Sequence, residues 1–162
     1  PKPSSAASDV YKRQEQFNID KFESCILAKE QLMYVVSKKH PMAKKKCMTI
    51  EDFRDENLLM FNVDSVQNEL LKNRFDQLKL NPRIIMRSSQ LYTTLKFIDN
   101  GSCGCFLFSD MLPHFKQYKG IPLEPPIDVN IGIVWKKGKF PSHSAQLFID
   151  FAMQYCSENI TT

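Results

Sequence analysis

The sequence has no apolar run approaching the roughly 20 residues that a membrane-spanning helix requires, so no membrane span or membrane partner is expected. It carries no G-x-S-x-G elbow for a nucleophilic serine, no Walker loop and no dinucleotide-binding glycine fingerprint. His40, His114 and His143 lie far apart without a metal-ligand spacing. Cys105 with His114 would need a third orienting group and a lowered thiol pKa to act as a nucleophile pair, and nothing in the sequence argues for either. No catalytic residue, metal or cofactor is expected. The five cysteines, Cys25, Cys47, Cys103, Cys105 and Cys156, form an odd set without a disulfide or redox spacing, which points to a reducing, cytoplasmic compartment. Cys103 and Cys105 alone are close, and strand alternation sends both to one face. Two thiolates without further ligands make a poor zinc site, so they read as small buried apolar side chains. A steep charge imbalance is lacking too. Lys and Arg number 22 against 18 Asp and Glu, a net +4, and Lys2, Lys12 and Arg13 against Asp9 supply +2 of it within residues 1–14. The rest is too weakly basic for a nucleic-acid surface. Lys38, Lys39, Lys44, Lys45 and Lys46 surround His40-Pro41 in what reads as a solvated loop.

A composition 43% hydrophobic and 25% charged suits a globular chain with one core or two small lobes. The stretch from Pro82 to Asp110 reads as strand, turn, helix, tight turn and strand. Ile84, Ile85 and Met86 run apolar without alternation, the mark of a strand covered on both faces of a parallel sheet. Ser88 and Ser89 stop it, and either hydroxyl can cap the helix that follows, where Leu91, Leu95 and Ile98 recur at helical spacing. Asn100-Gly101 ends that helix. Cys103 to Phe108 is a second buried strand, and such a crossover places its binding crevice at the C-terminal strand ends, here Ser88, Ser89 and Gln90.

Residues 1–14 show no apolar period and resemble a translated cloning adaptor, so they are set aside as a leader. Ile26-Leu27 reads as a short strand and Leu32 to Ser37 as a separate buried one. Thr49 to Asp52 has capping-box spacing for a short helix. Asn57 to Phe61 is a strand, Asn62 to Ser65 a polar turn, and a helix runs from it to about Lys79 with Leu71, Phe75 and Leu78 on one face. Met111 to Phe115 reads as a helical turn, Pro122, Pro125 and Pro126 mark a loop at an edge segment, and Val129 to Trp135 is a returning strand. Ser142 caps a last helix. Its Ala145, Phe148, Ile149, Ala152 and Cys156 make one face, widened by Leu147, Phe151 and Tyr155. The order is that of a doubly wound α/β lobe.

Several of these segments resemble the effector-binding domain of LysR-type transcription regulators. They are Leu32 to Ser37 followed by His40-Pro41-Met42-Ala43, Met48 to Phe53 before the 57–61 strand, Ser88-Ser89, Leu95 to Gly101 leading to Cys103 to Leu107, and the 142–155 helix. The likeness covers about residues 26–157 and rests on segment order. It implies an α/β fold like that of type 2 periplasmic binding proteins, with one complete doubly wound lobe and remnants of a second. In this reading residues 15–31 are the end of the first lobe, 32–137 the second, effector-binding lobe, and 138–162 the returning terminal helix of the first lobe with its tail. It also implies a small effector in the interlobe cleft, a homo-oligomer (dimer or tetramer) in the full-length protein, and DNA contact only through a helix-turn-helix domain absent from this chain. Ser102-Cys103-Gly104 departs from the run of small residues and glycine more usual in the family, and the chain reads as a truncated frame.

The candidate ligand residues are Ser88 and Ser89, which could hold an anion with helix N–H groups and a hydroxyl or serve only as a cap. Asn62, Val63 and Ser65 form a second wall or a plain polar turn. Phe106 follows Gly104 and is kept as a lining candidate, although a residue so placed is more often core than pocket lining. Arg87 could meet an acidic effector or make a surface ion pair. A type 2 solute-binding protein of a transporter is the alternative function, and an enzyme on the same fold the third, which its missing acid–base residues count against.

Overall fold

The computed structural model describes residues 22–137 and 142–159. The 1–14 leader, residues 15–21 and the side chain of Cys156 lie outside what is described. The chain divides into two compact units, Lys29–Asn130 and the remainder on either side of it. The division falls at 28/29 and 130/131. Two strands, β1 (Phe22–Ser37) and β6 (Asp128–Lys136), each run unbroken across a boundary. The separate short strand at Ile26-Leu27 is therefore the first part of β1.

The larger unit contains β2 (Asn57–Met60), α1 (Val66–Gln77), β3 (Arg83–Arg87), α2 (Leu91–Ile98), β4 (Gly104–Phe108) and β5 (Tyr118–Pro122). Its strands lie in the order β3-β2-β4-β1-β5. β2 is parallel to both β3 and β4, as a right-handed crossover requires, whereas β1 is antiparallel to β4 and to β5. Alternation then sorts the core into two layers. Tyr34, Val36, Leu58, Met60 and Phe106 face one side with Leu71 and Phe75 of α1 and with Phe53. Val35, Leu59, Cys105 and Leu107 face the other, with Leu95 and Ile98 of α2. Cys103 and Cys105 are both buried there, on one face. Each large side chain so buried contributes roughly 1.5–3 kcal/mol.

Several sequence expectations change in detail. β3 is packed on both faces but lies at the edge of the sheet, and its apolar run is not continuously buried: Leu58 pairs with Ile84 and Leu59 with Met86, so Ile85 is the extra residue of a bulge and is 49% exposed. That extra residue turns Ile84 to the α1 side and Met86 to the α2 side. Leu78 is the C-cap of α1 and is exposed, since Lys79 follows with φ of 51° and turns the chain away. Thr49 to Asp52 forms only a 3₁₀ turn, Glu51–Phe53, without a hydroxyl cap; the reciprocal half of the box is present, with Thr49 N–H donating to the Asp52 carboxylate at 2.9 Å. Gly101, at φ 77°, ends α2 as expected.

At the end of the sheet where β1 terminates, a polar cluster is sealed beneath the first layer. The Tyr34 hydroxyl donates to Glu56 Oε2 at 3.1 Å, and His40 Nε2 lies 3.4 Å from the same oxygen. Gly104 is required beside it: a Cβ there would stand 2.4 Å from the Tyr34 ring.

In the smaller unit β1 pairs with β6, and the Trp135 indole N–H donates to Glu23 at 2.7 Å. Its helix α3 (His143–Asn159) begins under Ser142, whose hydroxyl accepts from Ala145 N–H at 3.3 Å. α3 buries Ile149 and Ala152 but leaves Leu147, Phe148, Phe151 and Tyr155 exposed, so Phe148 does not belong to the buried face.

Candidate functional site

Because β2 and β3 are parallel, the turns that follow them lie at one edge of the sheet. The Ser88 N–H donates to the Met60 carbonyl at 3.1 Å, which ties the second turn to the end of the strand bearing the first. The edge thus brings together Asn62, Val63 and Ser65 from one turn and Ser88, Ser89 and Gln90 from the other.

The first turn closes on itself. Ser65 N–H donates to the Asn62 carbonyl at 2.9 Å, and Ser65 is the N-cap of α1, its hydroxyl accepting from Asn68 N–H at 3.2 Å. Val63 is exposed, yet its carbonyl accepts from Asn68 Nδ2 at 3.2 Å.

The second turn differs from the expected cap. Gln90, not Ser88 or Ser89, is the N-cap of α2, and no side chain caps the first turn of that helix. The Ser88 hydroxyl instead accepts from Gln90 N–H at 3.0 Å, because the chain needs two further residues to swing from β3 into the helix. The Gln90 side chain is occupied as the acceptor from the Thr93 hydroxyl at 2.9 Å, and the Thr94 hydroxyl donates to the Gln90 carbonyl at 3.0 Å. Ser89 is exposed, and among the described residues its hydroxyl has no partner. The first N–H groups of α2 are left without a side-chain acceptor, and a helix start of this kind favours negative charge.

Phe106 is not brought to this edge. It is 2% exposed at the middle of β4, its ring centroid 5.3 Å from those of both Tyr34 and Phe53. Three groups absent from the sequence reading do stand at the edge. Asn68, buried in the first turn of α1, accepts at Oδ1 from Arg87 at 2.6 Å. Ser109 and Asp110 follow β4, parallel to β2, and meet Glu30: the Ser109 hydroxyl donates to Glu30 Oε2 at 2.5 Å and Asp110 N–H donates to it at 2.9 Å. The signal for Ser109 was the same as for Ser88, a polar residue directly after a buried strand. Asn68 had none, since nothing local marks an asparagine in the first turn of a helix as buried rather than solvent-facing.

Away from the edge, Cys105 is wholly enclosed and burial pushes its thiol far above the usual range, so it is held protonated. No helix among the described residues is long and apolar enough to cross a membrane.

The family model described as the LysR substrate binding domain matches residues 9–157. Among curated proteins, the chain is 26% identical over 142 residues to the uncharacterized HTH-type transcriptional regulator YwbI of Bacillus subtilis (strain 168), covering 85% of this chain and 47% of that one. It is 26% identical over 139 residues to the transcriptional dual regulator GltC of the same organism, covering 82% and 45%. The chain therefore spans about half the length of these relatives. Among solved structures, the effector binding domain of QuiR in complex with shikimate superposes with a TM-score of 0.72 at 23% identity, covering 89% of this chain and 69% of that one. The Synechocystis PCC6803 CcmR regulatory domain in complex with 2-PG gives 0.76 at 18% identity, covering 86% and 69%. Both show the same fold.

Proposed function

Because the chain belongs to the family of LysR substrate-binding domains, we propose that it is the effector-sensing part of a LysR-type transcription regulator of bacteria. A small, anionic effector occupies the edge formed by Asn62, Val63, Ser65, Ser88 and Ser89. Its binding shifts a balance between two arrangements of the regulator and so changes how the DNA-binding heads are presented. In this reading the working protein is a cytoplasmic homo-oligomer, dimer or tetramer, DNA is contacted by a domain outside this chain, and the role is binding rather than catalysis. YwbI and GltC are named as regulators, which supports this over a transporter's solute-binding protein.

The observation that carries the proposal is the second turn: an open Ser89 hydroxyl and an uncapped helix start, tied by the Ser88 N–H to the strand that bears the Asn62–Ser65 turn. The QuiR and CcmR domains, bound to shikimate and 2-PG, support a small molecule as the ligand class. A thermal-shift screen of small metabolites tests it, followed by amide NMR on each hit. A true effector at a hundredfold excess over its Kd stabilises the chain by about 2.7 kcal/mol, and the amides of Ser88, Ser89 and Asn62 are expected to move. Hits that leave those amides unmoved while shifting others would place the site elsewhere.

A further inference from the structure

Arg87 is the last residue of β3 and directly precedes the Ser88–Gln90 turn, so its side chain leaves the backbone at the proposed effector edge. Its Nη1 group spends its hydrogens on two acceptors, the Phe61 carbonyl at 3.2 Å and Asn68 Oδ1 at 2.6 Å. Asn68 is itself fixed. It is 7% exposed, its Nδ2 donates to the Val63 carbonyl at 3.2 Å and its backbone N–H to the Ser65 hydroxyl at 3.2 Å. One corner of the guanidinium is thereby clamped to the Asn62–Ser65 turn through a buried side chain.

The remaining nitrogens, Nε and Nη2, form the lateral edge of the guanidinium, two parallel N–H vectors that match the two oxygens of a carboxylate. Neither has an acceptor among the described residues. The ion pairs among those residues involve His40, Lys45 and Lys96, and no Asp or Glu neutralises Arg87. The surface ion pair expected of this arginine is thus not formed there. A guanidinium whose orientation is fixed before any ligand arrives, and whose bidentate edge meets no protein carboxylate, is suited to receive one from solution, because the ordering cost of binding is already met.

We propose that Arg87 is the specificity-determining residue of the edge, receiving an effector carboxylate on Nε and Nη2, and that Asn68 is the positioning residue that holds it there. This names the ligand class for the site and rests on the effector-edge reading above.

The test follows the Arg87 Nε–H and the Ser88 and Ser89 amides by NMR. Shikimate, succinate, benzoate and inorganic phosphate are added in turn, beside shikimate methyl ester, succinamide, benzamide and a sodium chloride control. At least one carboxylate is expected to shift Arg87 Nε–H saturably where its neutral counterpart does not. Arg87→Lys, which keeps the charge but gives up the fork, is expected to weaken that binding about tenfold in a chain that still melts cooperatively, and Arg87→Gln further. Asn68→Ala is expected to weaken it in wild type yet change little in the Arg87→Gln background, which a merely structural role would not produce. If the Ser88 and Ser89 amides respond equally to acids and their neutral counterparts, or if both Arg87 variants bind the acids as wild type does, the edge still binds small molecules and the carboxylate assignment falls. Response to phosphate alone also overturns it. If no compound moves any of these groups, the edge reading and the assignment fall together.

Discussion

His40 is buried, and its Nδ1 accepts the Met42 N–H at 3.2 Å, so the ring proton sits on Nε2 facing Glu56. Burial lowers its pKa below the usual histidine value, and the Glu56 charge opposes that only in part. The folded state therefore holds the neutral ring, while the unfolded chain takes up a proton as pH falls through about 6.5. Stability is then full above that value and declines as pH drops below it. The melting temperature of wild type is expected to fall between about pH 7 and pH 5.5, and His40→Asn, which retains an acceptor for Met42 but cannot titrate, is expected to lose that part of the slope in parallel pH-dependent melts. Gly104 makes a second prediction at this scale. Tyr34 is fully enclosed and wedged between Phe53 and Phe106, so its ring has no room to yield to a Cβ placed 2.4 Å away. Gly104→Ala is expected to cost about 1–3 kcal/mol in urea unfolding.

The elements show which signals survive folding. The polar turn at Asn62 to Ser65 with α1 following it, and Leu91, Leu95 and Ile98 along α2, were legible because a turn and a helical stripe are local, written within one turn or two; that Ser65 is the α1 cap was not read. The exposure of Ile85 was not, since a bulge belongs to the pairing of two strands and leaves no mark in either sequence alone. The displacement of the α2 cap from Ser88 or Ser89 to Gln90 has a similar origin: the turn had to satisfy the Met60 carbonyl on another strand before the helix could begin. The α1 cap carries the prediction here. Ser65→Ala removes the acceptor for Asn68 N–H and is expected to lower stability by about 1 kcal/mol, read by chemical denaturation. It also loosens the turn that holds Asn62 and Val63.

For the molecule as a whole, the edge position of Asn62, Val63, Ser65, Ser88 and Ser89 was readable because parallel strands put successive C-terminal turns together. Phe106 was misplaced because one step of alternation separates a lining residue from a core one. The Arg87–Asn68 clamp was hidden because its partners lie 19 residues apart and meet only through the β2–β3 pairing. At the same scale, the described helices α1, α2 and α3 are separated by strands rather than by a short turn, so none forms a helix-turn-helix, and the net charge of the chain is only +4. A gel-shift assay at low salt with the promoter beside the intact gene is expected to show no sequence-specific retardation by this chain. Specific retardation would contradict the division of labour proposed above.

The antiparallel placement of β1 also bears on the order in which the protein assembles during synthesis. Val35 stands between Cys105 and Gly120 in the finished sheet, so the strand that leaves the ribosome early finds its neighbours only after most of the larger unit has been translated. The β2-α1-β3 segment, by contrast, pairs within a span of about thirty residues and can close its own contacts first. Until β4 and β5 arrive, residues 32–37 of β1 have no strand to pair with, although Tyr34 can already meet Phe53 and Glu56, and the nascent chain carries two open backbone edges through the interval in which chaperones act.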